Sequence, residues 1–316
     1  VSSQVVICLT GIDLPIGQAI RKRLEASNCL VQGVLSEHFN LATDSLVREF
    51  KKLEKSHYII NAAELADLEK AEKHPDLAYQ YNVKSCEAIV EVAKEWKASV
   101  IHLSSYQVFD GQKKNPYISA NKGRPLNAYG RTKLQSEELL QEQLEEHLIL
   151  RLGWLLSAGD SGWMVDCMRQ WQADTPVSCL EDVELSPTAS EDVARVVDAI
   201  IKQLNCGVSV WGIYHYASAE SVSHEELTRA VYYQAYGQDA PQNLLLSRRL
   251  ETAAMDYLLP RNGVLGCIKL RNTFGIKQLP WRRYLPAMVE ELVEKGLVKP
   301  SVAAAMAGEA ETTVNR

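Results

Sequence analysis

Between Val5 and Leu150 the chain alternates short unbroken apolar runs with stretches whose apolar residues recur at helical spacing. Val5-Val6-Ile7-Cys8-Leu9 is such a run, the pattern of a strand buried on both faces. Thr10-Gly11 breaks it, and Gly17 to Leu24 resumes at helical spacing. The pattern predicts strands at Leu30–Leu35, Tyr58–Ile60, Val100–Leu103 and Leu148–Leu150. Between them it predicts a helix at Asp44–Leu53 opened by an Asp cap, and helices at Pro75–Trp96 and Ala128–Glu145. Strands joined through helices run parallel, so the expected fold is α/β with a doubly wound parallel sheet. Functional residues of such sheets gather beyond the carboxyl ends of the strands, here just after Leu9, Asn61, Leu103 and Leu150.

After Arg151 the rhythm changes and Trp, Gly, Ser and Pro become frequent. The expected division is a nucleotide-binding unit of residues 1–152 and 189–212, a smaller α/β lobe of residues 153–188 and 213–300, and a loose tail at 301–316. A helix at Ser190–Leu204, opened by a Ser cap, links the two units. A length of 316 residues suits this plan, and a net charge of −6 without a basic run argues against nucleic acid or an anionic membrane as partner. No apolar stretch is long enough to span a bilayer. The 7 cysteines lack any CxxC pair and read as reduced structural thiols rather than a zinc site, and no metal is expected. The first residues run straight into a strand without a basic flank, so a cytoplasmic protein is expected.

Three places carry chemistry. The first is the turn Thr10-Gly11-Ile12-Asp13-Leu14-Pro15-Ile16-Gly17, where strand-to-helix geometry lets backbone amides hold a pyrophosphate. Gly11 suits the tight turn and Gly17 the close approach of helix to sheet; Asp13, Leu14 and Ile16 complete the candidate cofactor contacts. Leu14 stands where a middle glycine would be, and Pro15 lacks an N–H. The second is Glu37, which follows the second strand where an acidic residue would bond a ribose 2′-hydroxyl. No Lys or Arg lies between Leu30 and Val47, so the local residues lean to NAD(H) over NADP(H). The third is Tyr129-Gly-Arg-Thr-Lys133 at the start of a helix, with both functional side chains on one face. An ammonium beside a phenol is expected to lower its pKa toward the range of a general acid, and Ser105 after the preceding strand can polarise a carbonyl.

With these motifs in place, the chain resembles the extended short-chain dehydrogenases/reductases, which have a Rossmann sheet, and within them the dTDP-4-dehydrorhamnose reductase group. The regulatory beta subunit of methionine adenosyltransferase is similar in fold and motifs. The resemblance spans about residues 4 to 295 and rests on Ile60-Asn61-Ala62-Ala63, Glu69-Lys70-Ala71-Glu72, Asn82, His102 to Gly111, and Pro125 to Lys133. It continues through Glu137, Arg151 to Trp154, Ser186-Pro187-Thr188, Asp192-Val193-Ala194 and Pro260-Arg261-Asn262. It implies reduction of a 4-keto nucleotide sugar with NAD(H) or NADP(H). Tyr129 would be the proton donor, Lys133 would bond the nicotinamide ribose, and Ser105 would polarise the carbonyl. Ala62, Ala63 and Asn82 would line the cofactor; Ser104, Tyr106, Gln107, Trp154, Thr188 and Arg261 would meet the sugar nucleotide. The assembly implied is a homodimer or a complex with a partner enzyme that the chain regulates.

The departures cluster at the site. Leu14 replaces a glycine, Leu65-Ala66 stands where the family has an aromatic or His followed by Thr, Tyr106-Gln107 replaces Asp-Tyr, and Leu259 replaces an Arg. Sugar sites discriminate through paired polar groups, so these changes bear on the substrate more than on the fold. They motivate an alternative of another class, a non-catalytic nucleotide-binding regulatory subunit. Elsewhere the plain reading holds: His102 and His215 as packed strand residues, Trp163, Trp171 and Trp211 as core, Arg248-Arg249 and Arg282-Arg283 as surface pairs. Glu137-Glu138, Glu142 and Glu145-Glu146 read as a solvated acidic face.

Overall fold

Alternate residues of the first strand are taken up by two different cores: Ile7 and Leu9 by one, Cys8 by the other. That two-residue period, with both faces covered, is what the unbroken apolar run requires. The structure, a computed structural model, describes residues 4–253 and 255–297; the tail expected at 301–316 lies outside the described residues.

The chain runs β1 (Val6–Thr10), α1 (Pro15–Ala26), β2 (Leu30–Val34), α2 (Thr43–Phe50), β3 (Tyr58–Asn61), α3 (Leu68–Lys73), α4 (Pro75–Tyr79), α5 (Ser85–Trp96), β4 (Ser99–Ser105), α6 (Ala128–Gln143) and β5 (His147–Leu152). It continues with β6 (Trp154–Leu156), α7 (Trp163–Gln172), β7 (Val177–Leu180), β8 (Glu184–Leu185), β9 (Pro187–Ala189), α8 (Ser190–Asn205), β10 (Gly212–Tyr216), β11 (Val222–Ser223), α9 (His224–Tyr236), β12 (Leu245–Arg248), α10 (Ile268–Phe274) and α11 (Leu285–Glu294). Six parallel strands form the central sheet in the order β10-β5-β4-β3-β1-β2. The order reverses between β1 and β3, the crevice where doubly wound sheets bind ligands. α1, α8 and α10 cover one face; α2, α5 and α6 cover the other.

Four expectations are corrected. The expected helix at 75–96 is α4, a π-helical turn at Gln80–Lys84 and α5, and α3 precedes it. His74, outside the helical region at φ −132° and ψ 67° ahead of Pro75, separates α3 from α4. α2 is not opened by Asp44: its cap residue is Ala42, without a side-chain bond, and Asp44 lies in the first turn. α8 likewise lacks a Ser cap, because the Ser190 hydroxyl donates to the Leu156 carbonyl instead. Residues 213–216, expected to begin the second lobe, form most of β10, the sixth strand of the central sheet, paired with β5.

Three small two-stranded pairings, β6 with β9, β7 with β12 and β8 with β11, lie around a further core shared with α7, α9 and α11. No helix among the described residues is long and apolar enough to cross a membrane.

Candidate active site

Register builds the floor of the site. Thr10, Asn61 and His102 are partners across β1, β3 and β4. The Thr10 hydroxyl donates to Asn61 Oδ1 at 2.7 Å, and the Asn61 amide meets His102 Nδ1 at 2.9 Å. Thr10 Oγ1 also accepts from the Ala62 and Ala63 amides at 3.1 and 3.2 Å, which fixes the chain as it leaves β3. Burial, then the nearby Lys133 charge, holds His102 well below its usual pKa and therefore neutral. His102 is a packed strand residue, as expected.

α6 is set onto this floor by capping. Asn127 Oδ1 accepts from the Gly130 amide at 2.8 Å, and its amide nitrogen donates to Gln107 Oε1 at 2.6 Å and to the Leu258 carbonyl at 2.8 Å. Glu72 accepts from the Ala128 amide at 2.6 Å. These carboxylate and amide oxygens satisfy donors that the first helical turn leaves free. Asn82, in the π-helical turn, accepts from Leu65 N at 2.8 Å and donates to Thr132 Oγ1 at 2.9 Å, tying the loop after β3 to α6. It is buried and acts on the site through that loop.

Ser105, Tyr129 and Lys133 meet at the carboxyl end of β4. Ser105 lies beside the Tyr129 phenol, where it favours the phenolate, and Lys133 Nζ donates to the Leu103 carbonyl at 2.6 Å. Glu64 joins them: its Oε2 accepts from Tyr129 Oη at 3.0 Å and from Lys133 Nζ at 2.8 Å. Sequence reasoning passed over Glu64, although it directly follows Ala62-Ala63 at the strand order's switch point. The expected lowering of the Tyr129 pKa does not hold. Burial first, then the Glu64 charge, raise it well above the usual phenol value.

The glycine-rich turn has the geometry expected of it. Gly11 has φ +63°, and a Cβ there would come within 2.9 Å of Leu14 Cδ1 and 3.0 Å of Ala63 Cα. At Gly17 a Cβ would fall 2.0 Å from the Gly11 carbonyl oxygen, so helix and turn touch through bare backbone. Asp13 accepts from the Ser36 amide at 2.7 Å and from its hydroxyl at 2.5 Å, joining the turn to the end of β2. Glu37 is exposed beside them.

The sequence pattern of the RmlD substrate binding domain matches residues 5–294. The chain belongs to the RmlD substrate-binding domain family. It is 30% identical to the dTDP-4-dehydrorhamnose reductase of Aggregatibacter actinomycetemcomitans over 73% of this chain and 80% of that one. It is 29% identical to the reductase of Escherichia coli K12 over 74% and 79%. In fold it is similar to the dTDP-4-dehydrorhamnose reductase of Clostridium acetobutylicum, with TM-score 0.82 at 23% identity over 92% of this chain and 100% of that one. The Bacillus anthracis reductase, solved in complex with NADP, gives TM-score 0.80 at 21% identity over 91% and 99%. The short-chain dehydrogenase/reductase resemblance and the Rossmann-type sheet are thereby borne out.

Within this family frame the expected sugar-side residues separate. Ser104 is buried and donates to Glu137 Oε1 at 2.5 Å; Thr188 is fully buried with its hydroxyl on the Ser186 carbonyl at 3.0 Å. Tyr106 is buried with its ring against Gly263, and Gln107 is buried and bonded to Asn127. All four have polar partners within the protein that no local pattern announces. Arg261 pairs with Glu251 at 2.9 Å and Asp182 at 3.2 Å. Trp154 keeps a partly exposed ring, stacked on His224 at 5.1 Å between centroids. Glu137 is no part of a solvated face: it is fully buried in an ion pair with Arg151, supplied by β5.

Proposed function

We propose that the chain is an NAD(P)H-dependent reductase of a 4-keto nucleotide sugar. The meeting of Ser105, Tyr129 and Lys133 at the end of β4, beside the β1 turn, carries this reading. The turn fits a dinucleotide: the bare backbone at Gly11 admits close approach, and the Ile16 and Gly17 amides at the start of α1 precede the first helical bond, Gln18 N to Leu14 O. Ala62 and Ala63 line the same crevice. Bound there, the cofactor would supply a hydride to the carbonyl carbon. Ser105 would then orient and polarise the carbonyl oxygen, and Tyr129 would deliver a proton to it. Asp13 and Glu37 favour a ribose diol, while Arg21 and Lys22 line a cleft with Asp13 and Leu35 and can meet a 2′-phosphate, so both dinucleotides fit. The proposal includes a cytoplasmic location and assembly as a homodimer or with a partner enzyme.

The test is NADH and NADPH oxidation with a panel of dTDP- and UDP-linked 4-keto sugars. Tyr129→Phe should lower turnover by about 10²- to 10⁴-fold while cofactor binding stays. Absence of oxidation with either cofactor and every sugar would overturn the reading. It would favour the alternative, a nucleotide-binding regulatory subunit, for which Leu14 beside Gly11 and the missing Pro15 N–H are the supporting observations.

A further inference from the structure

A carboxylate at the tip of the proton donor is an unexpected neighbour for a reductase. Glu64 Oε2 is the shared acceptor of the Tyr129 hydroxyl and the Lys133 ammonium. The Lys133 side chain is 2% exposed, so its charge is compensated almost wholly by Glu64 and the Leu103 carbonyl. Glu64 is 23% exposed and therefore has contact with solvent that Lys133 lacks. It is held there by the Ala62 and Ala63 amides on Thr10 and by Leu65 on Asn82, on both sides in sequence.

We propose that Glu64 is a further catalytic residue that governs proton delivery by Tyr129: as the shared acceptor of the phenol and the ammonium, it holds the Tyr129–Lys133 couple at rest and restrains release of the Tyr129 proton. This rests on the reductase reading above. With Glu64 ionised, loss of the Tyr129 proton would place a phenolate beside a carboxylate, with one ammonium for two anions in a site largely closed to water. In the step itself the Tyr129 O–H bond breaks as a new O–H bond forms on the carbonyl oxygen, while the hydride already accounted for reaches the carbon. The phenolate is then reprotonated from water. Nothing is oxidised or reduced in that reprotonation.

The other groups facing the couple do not compete for the role. His102 of β4 is held neutral by burial, and Cys86 of α5 is pushed up to about 11 by burial. Tyr106, after β4, is raised as well, burial again being the main cause. Ser105 does not titrate. Glu64 is thus the carboxylate that faces the Tyr129 hydroxyl directly.

The experiment compares wild type with Glu64→Gln, which keeps shape and removes charge, and with Glu64→Ala as a second variant. Turnover in Glu64→Gln should be about tenfold above wild type, the factor of one pKa unit at Tyr129. A readout free of turnover uses cofactor-free protein with 3,5-difluorotyrosine at position 129, titrated by fluorine NMR. Its midpoint should fall in both variants. An unchanged midpoint, or wild-type turnover in Glu64→Gln, overturns the proposal. A midpoint that falls in a protein without turnover on any nucleotide sugar supports the Glu64–Tyr129 coupling and overturns the reductase reading instead.

Discussion

Two carboxylates meet α6 on one face, a helical turn apart, and they have opposite fates. Glu137, on the helix itself, pairs with Arg151 of β5 through 2.6, 2.9 and 3.1 Å bonds and takes a further one from Ser104. Both partners are closed to water, and the Arg151 guanidinium also lies 5.0 Å from the centroid of the Phe109 ring. Glu64 arrives from the loop after β3, meets Lys133 four residues before Glu137, and keeps part of its surface in solvent. The first pair is closed inside the protein, both Glu137 oxygens being bonded while Arg151 Nη1 is left without a hydrogen-bond partner. The second shares one oxygen between a base and a phenol, and the group it holds is the one that reacts. A closed ion pair fastens α6 to β5; an open one beside a hydroxyl is poised for chemistry.

Breaking the closed pair should have the largest effect on folding. Glu137→Leu leaves Arg151 buried without its partner and should cost about 3–5 kcal/mol of stability, read by urea unfolding. The double variant Glu137→Leu with Arg151→Met should recover much of that loss, since desolvation of both ions is then relieved. If Glu137→Leu alone is neutral, the pair is no fastener and the contrast with Glu64 collapses.

A smaller effect is expected beneath the open pair. Thr10→Val keeps the shape of the side chain but removes a hydroxyl that serves Asn61, Ala62 and Ala63. Leaving those buried groups unpaired should cost about 1–3 kcal/mol. The loop carrying Glu64 would also loosen, so turnover should change in Thr10→Val. A Thr10→Val protein of lower stability with wild-type turnover and pH profile would separate the floor of the site from its chemistry.

The same contrast explains what was legible in the sequence. Short-range pattern located β1 to β5 and the Tyr129–Lys133 pair because strand burial and i, i+4 spacing are local properties. Glu64 was hidden for the opposite reason: its partners lie on α6, and only the topology brings the end of β3 beside that helix. Glu137 was misread as solvated because Arg151 reaches it across a strand pairing, which helix-face counting does not see. His215 illustrates the boundary error. Its strand reads as second-lobe material, yet β10 closes the central sheet, and burial there pushes the imidazole down to about 3. The Asp44 and Ser190 caps failed because a cap requires a side-chain geometry that composition alone does not dictate.

Arg261 extends the comparison to the second lobe and carries the smallest expected effect. On sequence it was the best-placed cation for a sugar-linked pyrophosphate, with Leu259 unable to serve. In the structure it is half exposed, and one nitrogen, Nη2, faces both Glu251 and Asp182. These carboxylates hold its pKa above the ordinary guanidinium value, Glu251 chiefly through its hydrogen bond. Exposed pairs of this kind contribute little to stability because water screens them and two long side chains must be ordered. An anionic ligand would have to compete with two carboxylates for the same guanidinium. Arg261→Ala should therefore leave both thermal unfolding and calorimetric binding of dTDP- or UDP-sugars within error of wild type. A large loss of sugar-nucleotide heat in Arg261→Ala would mean that the ligand draws Arg261 away from Glu251 and Asp182. In that case the second lobe, like the Glu64 site, uses an open ion pair for binding rather than for fastening.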